Sequence, residues 1–116
     1  MEPIEINAGA WYLRGVRDDE RISDSAALRD LGVDDPEAYV RQVDSEWSDE
    51  SSFTWAVCEP TTGELVATVS VILDDDRARL VGDARDGYDD ALASAYPVVA
   101  RFATGALGVT VSDPQT

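Results

Sequence analysis

Apolar and polar positions are patterned most clearly between residues 53 and 73. Leu65, Ala67, Val69 and Val71 fall on one face of an extended chain, and Val66, Thr68 and Ser70 on the other. Phe53 to Cys58 is a second run rich in strand formers. Pro60-Thr61-Thr62-Gly63 lies between them, with proline early and glycine late, as a type I turn prefers. Together these predict an antiparallel hairpin. Residues 11–17 (Trp-Tyr-Leu-Arg-Gly-Val-Arg) predict an earlier strand, closed by Asp18-Asp19-Glu20. After Asp74-Asp75-Asp76, Ala78 to Asp83 predicts a short strand, and Val109-Thr110-Val111 a last one.

Three stretches carry helical signals instead. Ser23-Asp24-Ser25 can cap a short helix over 26–31, which Gly32 ends. Asp34-Asp35-Pro36-Glu37 places an acidic cap, a proline in the first turn and a carboxylate at the positive end of the helix dipole. Tyr39, Val40, Val43 and Trp47 then give one apolar face over about 36–48. In the third, Val98, Val99, Phe102, Ala103, Ala106 and Leu107 are apolar at helical spacing and Gly108 stops the run. Pro97 would delete a hydrogen bond inside that helix at about 3 kcal/mol and disfavours a helical Tyr96. The regular helix is therefore expected to begin near Tyr96, with 89–95 as a separate turn or a kinked extension. The predicted order is β-α-α-β-β-β-α-β, an α/β (α+β) chain.

Length and composition narrow the class. The 116 residues suffice for a single domain over 1–116, with an ordered core over about 6–112, and 44% are apolar, against disorder. No apolar run approaches the roughly 18 residues of a membrane span, and the acidic start lacks a secretory pattern. A cytoplasmic protein is expected. One cysteine excludes an intrachain disulfide, and the absence of histidine removes the commonest metal ligand and neutral-pH base. All nine basic residues are arginine against 24 acidic ones, so the net charge is −15. That field disfavours nucleic acid and anionic membranes and favours basic partners.

Specific segments carry a family resemblance. Trp11-Tyr12-Leu13-Arg14 followed by Arg21-Ile22-Ser23-Asp24, and above all Trp55 to Leu65 (Trp-Ala-Val-Cys-Glu-Pro-Thr-Thr-Gly-Glu-Leu), resemble the GNAT (N-acetyltransferase) superfamily, in particular an actinobacterial group. Arg101 to Gly108 is similar to the helix that follows the cofactor loop there. The resemblance implies a mixed, mostly antiparallel sheet flanked by helices. It also implies a loop of the form Arg/Gln-x-x-Gly-x-Gly/Ala before that helix, holding the pyrophosphate of acetyl-CoA on backbone N–H groups. Asp86-Gly87-Tyr88-Asp89-Asp90 stand in its place, shortened, with one glycine and with Asp83 nearby. Each exposed aspartate repels a phosphate by about 1 kcal/mol or less. These five residues are read as the position of a lost cofactor site that binds no acetyl-CoA. Asp89 and Asp90 also read as caps that close the helix end to anions.

The family's chain continues past its fifth strand with another helix and further strands, where a tyrosine or serine acid usually lies. Here Ser112-Asp113-Pro114-Gln115-Thr116 come last. The expectation is a fold lacking that C-terminal helix and the last strands, with one sheet edge open and part of the core uncovered. A second chain, most simply a copy in a two-fold dimer, would cover them.

Single residues read mostly as framework. Cys58 has no base beside it and is expected to be packed rather than nucleophilic. Glu59 and Glu64 flank a solvated turn. Asp74-Asp75-Asp76 with Asp83 lack the alternate spacing of a calcium loop. Trp47 fits the helix core stripe, and Trp11 and Trp55 are expected on neighbouring strands, where packing accounts for them. Arg14, Arg17 and Arg41 are expected partners for the excess acid. No catalytic residue and no metal site is assigned. The leading reading is a GNAT-like protein without a cofactor, catalytically degenerate and acting through protein contact. One alternative is an acyltransferase completed by a partner chain or using a donor other than CoA, with acetyl-CoA as cofactor only under an enzyme reading. The other is an acidic module occupying a basic partner.

Overall fold

The computed structural model describes residues 1–111. The order is β1 (Ile6–Ala8), β2 (Trp11–Gly15), α1 (Ser25–Asp30), α2 (Pro36–Asp49), β3 (Ser52–Cys58), β4 (Leu65–Asp74), β5 (Arg77–Ala84), α3 (Asp89–Ala106) and β6 (Thr110–Val111). All six strands form one sheet in the order β1-β2-β3-β4-β5-β6. Every pairing is antiparallel except β5 with β6, which is parallel. The expected mixed sheet with flanking helices is present. Ser112 to Thr116, on which the expectation of a missing C-terminal helix rested, lie outside the described residues.

The hairpin forms as its pattern predicts. Phe53↔Val71, Trp55↔Val69 and Val57↔Ala67 pair on one face, and a bulge at Val57/Cys58 shifts the register before the turn. All seven residues of β3 are buried, because strands flank it on both edges and helices lie over it. The first strand, β1, has no counterpart in the predicted order. Three residues are too short for an alternation to be legible, and β1 exists by pairing Ile6↔Leu13 and Ala8↔Trp11 across Gly9-Ala10.

Asp35 caps α2 by accepting the Ala38 N–H at 3.1 Å, with Pro36 in the first turn, as expected. Asp24 holds the N-cap position of α1 but makes no capping hydrogen bond. Its carboxylate is committed elsewhere, as described below.

The second correction concerns α3, which runs unbroken through Pro97 from Asp89 to Ala106. Ala91, Ala95, Val99 and Ala103 recur every four residues and are fully buried, so packing on the sheet holds the helix on both sides of the proline. Pro97 and Ala93, whose carbonyl loses its donor, are both exposed, so that carbonyl is open to solvent rather than buried.

Trp47 joins α2 to the core on the α3 side of the sheet. Its ring meets Phe53 and Trp55 at centroid distances of 4.9 and 5.0 Å, both edge-on, and Phe102 of α3 lies against all three rings. Its indole N–H donates to the Thr54 carbonyl at 3.0 Å. That carbonyl lies beyond the last β2–β3 pair, Gly15↔Trp55, so the tryptophan satisfies strand edge that β2 leaves open.

The expected uncovered core is not found. Among the described residues the exposed large apolar side chains are Met1 and Ile4. The N-terminal segment supplies cover: Trp55 donates to the Ile4 carbonyl at 2.7 Å, and Pro3 lies against Gly15. No helix among the described residues is long and apolar enough to cross a membrane.

Candidate functional site

The candidate site is the connection from β5 to α3, where Asp86 to Asp90 stand. Antiparallel pairing carries β5 to Ala84, and the Arg85 N–H continues the ladder to the Val66 carbonyl at 2.9 Å. The chain then reverses: the Tyr88 N–H reaches the Arg85 carbonyl at 3.0 Å, and Gly87 takes φ +86°, a left-handed conformation that suits glycine. Tyr88 is the N-cap of α3 and makes no side-chain capping bond. Its ring stands edge-on to Trp11, with centroids 6.1 Å apart.

Asp89 and Asp90 are therefore not caps. They fall one and two positions inside the first turn, where a carboxylate cannot reach back to the leading N–H groups but still favours the positive helix end. The four aspartates at 83, 86, 89 and 90 are all exposed. A cavity of about 510 Å³ beside the turn draws in two more carboxylates, Asp30 from the end of α1 and Glu64 from the β3–β4 connection.

Arg85 lies among them and escaped the reading of the sequence. Its guanidinium pairs with Asp30 and with Glu64, both at 2.6 Å, and also donates to the Leu65 carbonyl at 3.2 Å. Those partners lie 55 and 21 residues away in the chain, so no local pattern marks them. The arginine nearest the turn is already neutralised, and an anion there would have to displace two carboxylates. The arrangement suits a cation better.

A second cavity, of about 390 Å³, opens on the neighbouring surface between β5 and α3, lined by Gly82, Asp83, Ala84, Asp89, Leu92, Ala93 and Tyr96. Gly82 lets the helix approach closely: an added Cβ would collide with Leu92 and stand 2.9 Å from the Thr68 carbonyl and 3.0 Å from the Tyr96 hydroxyl. That hydroxyl is buried and finds no hydrogen-bond partner among the described residues. Burial, and then the charge of Asp83, raise the Tyr96 pKa, which keeps the phenol protonated. The sequence marked Tyr96 only as a helix boundary.

The other candidates separate. Cys58 is fully buried, and burial pushes its thiol up to about 12, which removes the thiolate a nucleophile needs. Asp74 pairs with Arg77 in the β4–β5 register and Asp83 with Thr68, so the two acidic groups lie toward opposite ends of β5. Among the described residues no three His, Cys, Asp or Glu side chains converge as metal ligands. Glu59 and Glu64 close the hairpin by a backbone bond, Glu59 N–H to Glu64 carbonyl at 3.1 Å. Trp11 lies on β2 beside β3, as expected, but at the end away from Trp55.

Arg17 and Arg41 pair with Asp19 and Glu37 at the surface. Arg14 does not. It lies inside, and both its terminal nitrogens donate to the Asp24 carboxylate at 2.8 Å.

No protein-family model matches the sequence, and no curated protein matches it. Solved structures do match. A Vibrio cholerae protein provisionally assigned as a ribosomal-protein-serine acetyltransferase superposes with a TM-score of 0.80 at 19% identity, over 96% of this chain and 74% of its own. The ribosomal-protein-S5-alanine acetyltransferase of Vibrio fischeri gives 0.73 at 11% identity, over 91% and 70%. The chain has a GNAT-like fold. Identities this low establish the fold alone. The GNAT-like order makes the β5–α3 connection the place where the resemblance puts the cofactor loop.

Proposed function

We propose that this GNAT-like chain is a cytoplasmic, catalytically degenerate relative of the acetyltransferases that does not hold acetyl-CoA and acts by contact with another protein chain. The observation that carries the reading is the β5–α3 turn. Asp83, Asp86, Asp89 and Asp90 crowd it, and Arg85, its nearest cation, is bound to Asp30 and Glu64. An incoming pyrophosphate would meet uncompensated carboxylates and no free guanidinium, each exposed charge opposing it by about 1 kcal/mol or less. Titrating acetyl-CoA calorimetrically into the full chain should give no heat of binding at micromolar concentrations. A micromolar Kd would overturn the reading.

The contact proposed is with a second copy. Among the described residues β6 pairs with β5 only at Arg77↔Thr110 and Ala78↔Val111, which leaves the outer edge of β5 from Arg79 to Ala84 without a strand. A bare edge is a template for pairing, and a two-fold copy is the simplest supply. Light scattering of the full chain should report twice the monomer mass. A monomer throughout the micromolar range would exclude the dimer.

A further inference from the structure

The turn between β5 and α3 holds the chain's single Asp-Gly step, Asp86-Gly87. The Tyr88 N–H closes that turn on the Arg85 carbonyl at 3.0 Å, and Gly87 takes its third position at φ +86°. Both residues are exposed, and a Cβ built on Gly87 would meet nothing within 4 Å. Among the described residues the Gly87 N–H donates no hydrogen bond and the Asp86 carboxylate enters no ion pair. Its neighbour Arg85 is held by Asp30 and Glu64 instead. A carboxyl carbon and the nitrogen of the next residue are thus both free and open to solvent, and glycine has no side chain to shield that nitrogen. The other aspartates followed by a small residue are held. Asp24, before Ser25, is 3% exposed, and its carboxylate accepts from Arg14 and from the Arg17 N–H. Asp44-Ser45 and Asp90-Ala91 lie inside α2 and α3, and Asp83-Ala84 inside β5, where regular backbone cannot turn to bring the two atoms together.

We propose that Asp86-Gly87 is a modification site, at which the folded chain spontaneously isomerises Asp86 to isoaspartate. The Gly87 nitrogen attacks the carboxyl carbon of the Asp86 side chain. The new C–N bond closes a cyclic imide, and the carboxyl hydroxyl leaves with the amide proton as water. Water then opens the imide. Addition at the side-chain carbonyl restores aspartate, whereas addition at the main-chain carbonyl leaves the backbone running through the side-chain carbons. The water lost is the water regained, so no oxidant, reductant or further reactant is needed. Isoaspartate lengthens the backbone between Arg85 and Tyr88, in the turn that places Tyr88 as the N-cap of α3 and against Trp11. The site lies in the backbone of the turn and does not depend on whether acetyl-CoA binds.

The test keeps the folded full chain for weeks at neutral pH in water enriched in oxygen-18, an atom of which enters the carboxyl group on each passage through the imide. Peptide mapping by mass spectrometry, with electron-transfer fragmentation to tell isoaspartate from aspartate, should find the isotope and isoaspartate at Asp86. Neither should be found at Asp24, Asp44, Asp83 or Asp90. Asp86→Glu keeps the charge at an exposed position and should abolish both signals, because the longer side chain must close a larger ring more slowly. Asp86→Asn should react at least about ten-fold faster, read as deamidation, since an uncharged amide is a better electrophile than a group ionised at neutral pH. Gly87→Ala should slow the reaction by about ten-fold, because its methyl crowds the nitrogen. Isotope spread evenly over the other aspartates, label retained by D86E, an unchanged rate in G87A, or no isoaspartate after weeks would each overturn the proposal.

Discussion

Replacing Asp24 by alanine should remove roughly 3–5 kcal/mol of folding stability, because it strands a buried guanidinium. Arg14 and Asp24 side chains are only 7% and 3% exposed. The pair is two-pronged, and Asp24 also accepts the Arg17 N–H at 2.7 Å, while Arg14 donates to the carbonyls of Gly15 at 2.9 Å and Gly63 at 3.0 Å. One ion pair thus ties the end of β2 to the start of α1 and to the β3–β4 turn. Urea unfolding of D24A should show the loss as a lower midpoint at similar slope. Arg14→Met combined with Asp24→Leu should recover much of it, since the cost lies in the unpaired charge rather than in the absence of a pair. A D24A loss below about 1 kcal/mol, the range of a surface pair, would show that water reaches the site.

Trp47→Ala is expected to cost about 3–5 kcal/mol, the range for emptying a large aromatic from a core. Trp47 is 1% exposed and is the contact through which α2 reaches the Phe53, Trp55 and Phe102 rings. Trp47→Phe separates two contributions. It retains a ring against Phe53 and Trp55 but leaves the Thr54 carbonyl without its donor, for which a loss of about 1–3 kcal/mol is expected. Denaturant unfolding with near-ultraviolet circular dichroism measures both the stability and the loss of the fixed aromatic cluster. A W47A loss as small as that of W47F would place the indole's contribution in its hydrogen bond rather than in packing.

The connection between β5 and α3 was legible in the sequence as a turn, and the contacts of its residues were not. The hairpin from Trp55 to Leu65 and the helix from Arg101 to Gly108 bracket the β5–α3 turn, so Asp86 to Asp90 could be located by counting. The roles of its residues could not be. Asp89 and Asp90 read as caps because carboxylates at a helix start commonly are, but capping depends on which residue is the last outside the helix, and that residue is Tyr88. Arg85 carried no local signal, since its partners come from α1 and the β3–β4 connection. Tyr96 was masked by Pro97. A rule about isolated helices placed the helix start there, and the four buried residues spaced along α3 overrode it.

By itself the sequence determined what depends on near neighbours and on composition. Period-two alternation set the β3–β4 hairpin, an acidic residue before Pro36 set the start of α2, and the counts of charged residues set an acidic chain of net charge −15. The tertiary structure decided everything that depends on which distant groups meet. It made a strand of Ile6–Ala8 by pairing, and kept α3 continuous by burying one face of it. It also drew Asp24 away from its cap to neutralise Arg14, and left the Tyr96 hydroxyl, close to Gly82, without a partner among the described residues. The physical reason is common to all four. A local preference is worth on the order of 1 kcal/mol, or about 3 for the proline, whereas burying an apolar face or a charge engages several times that and takes precedence.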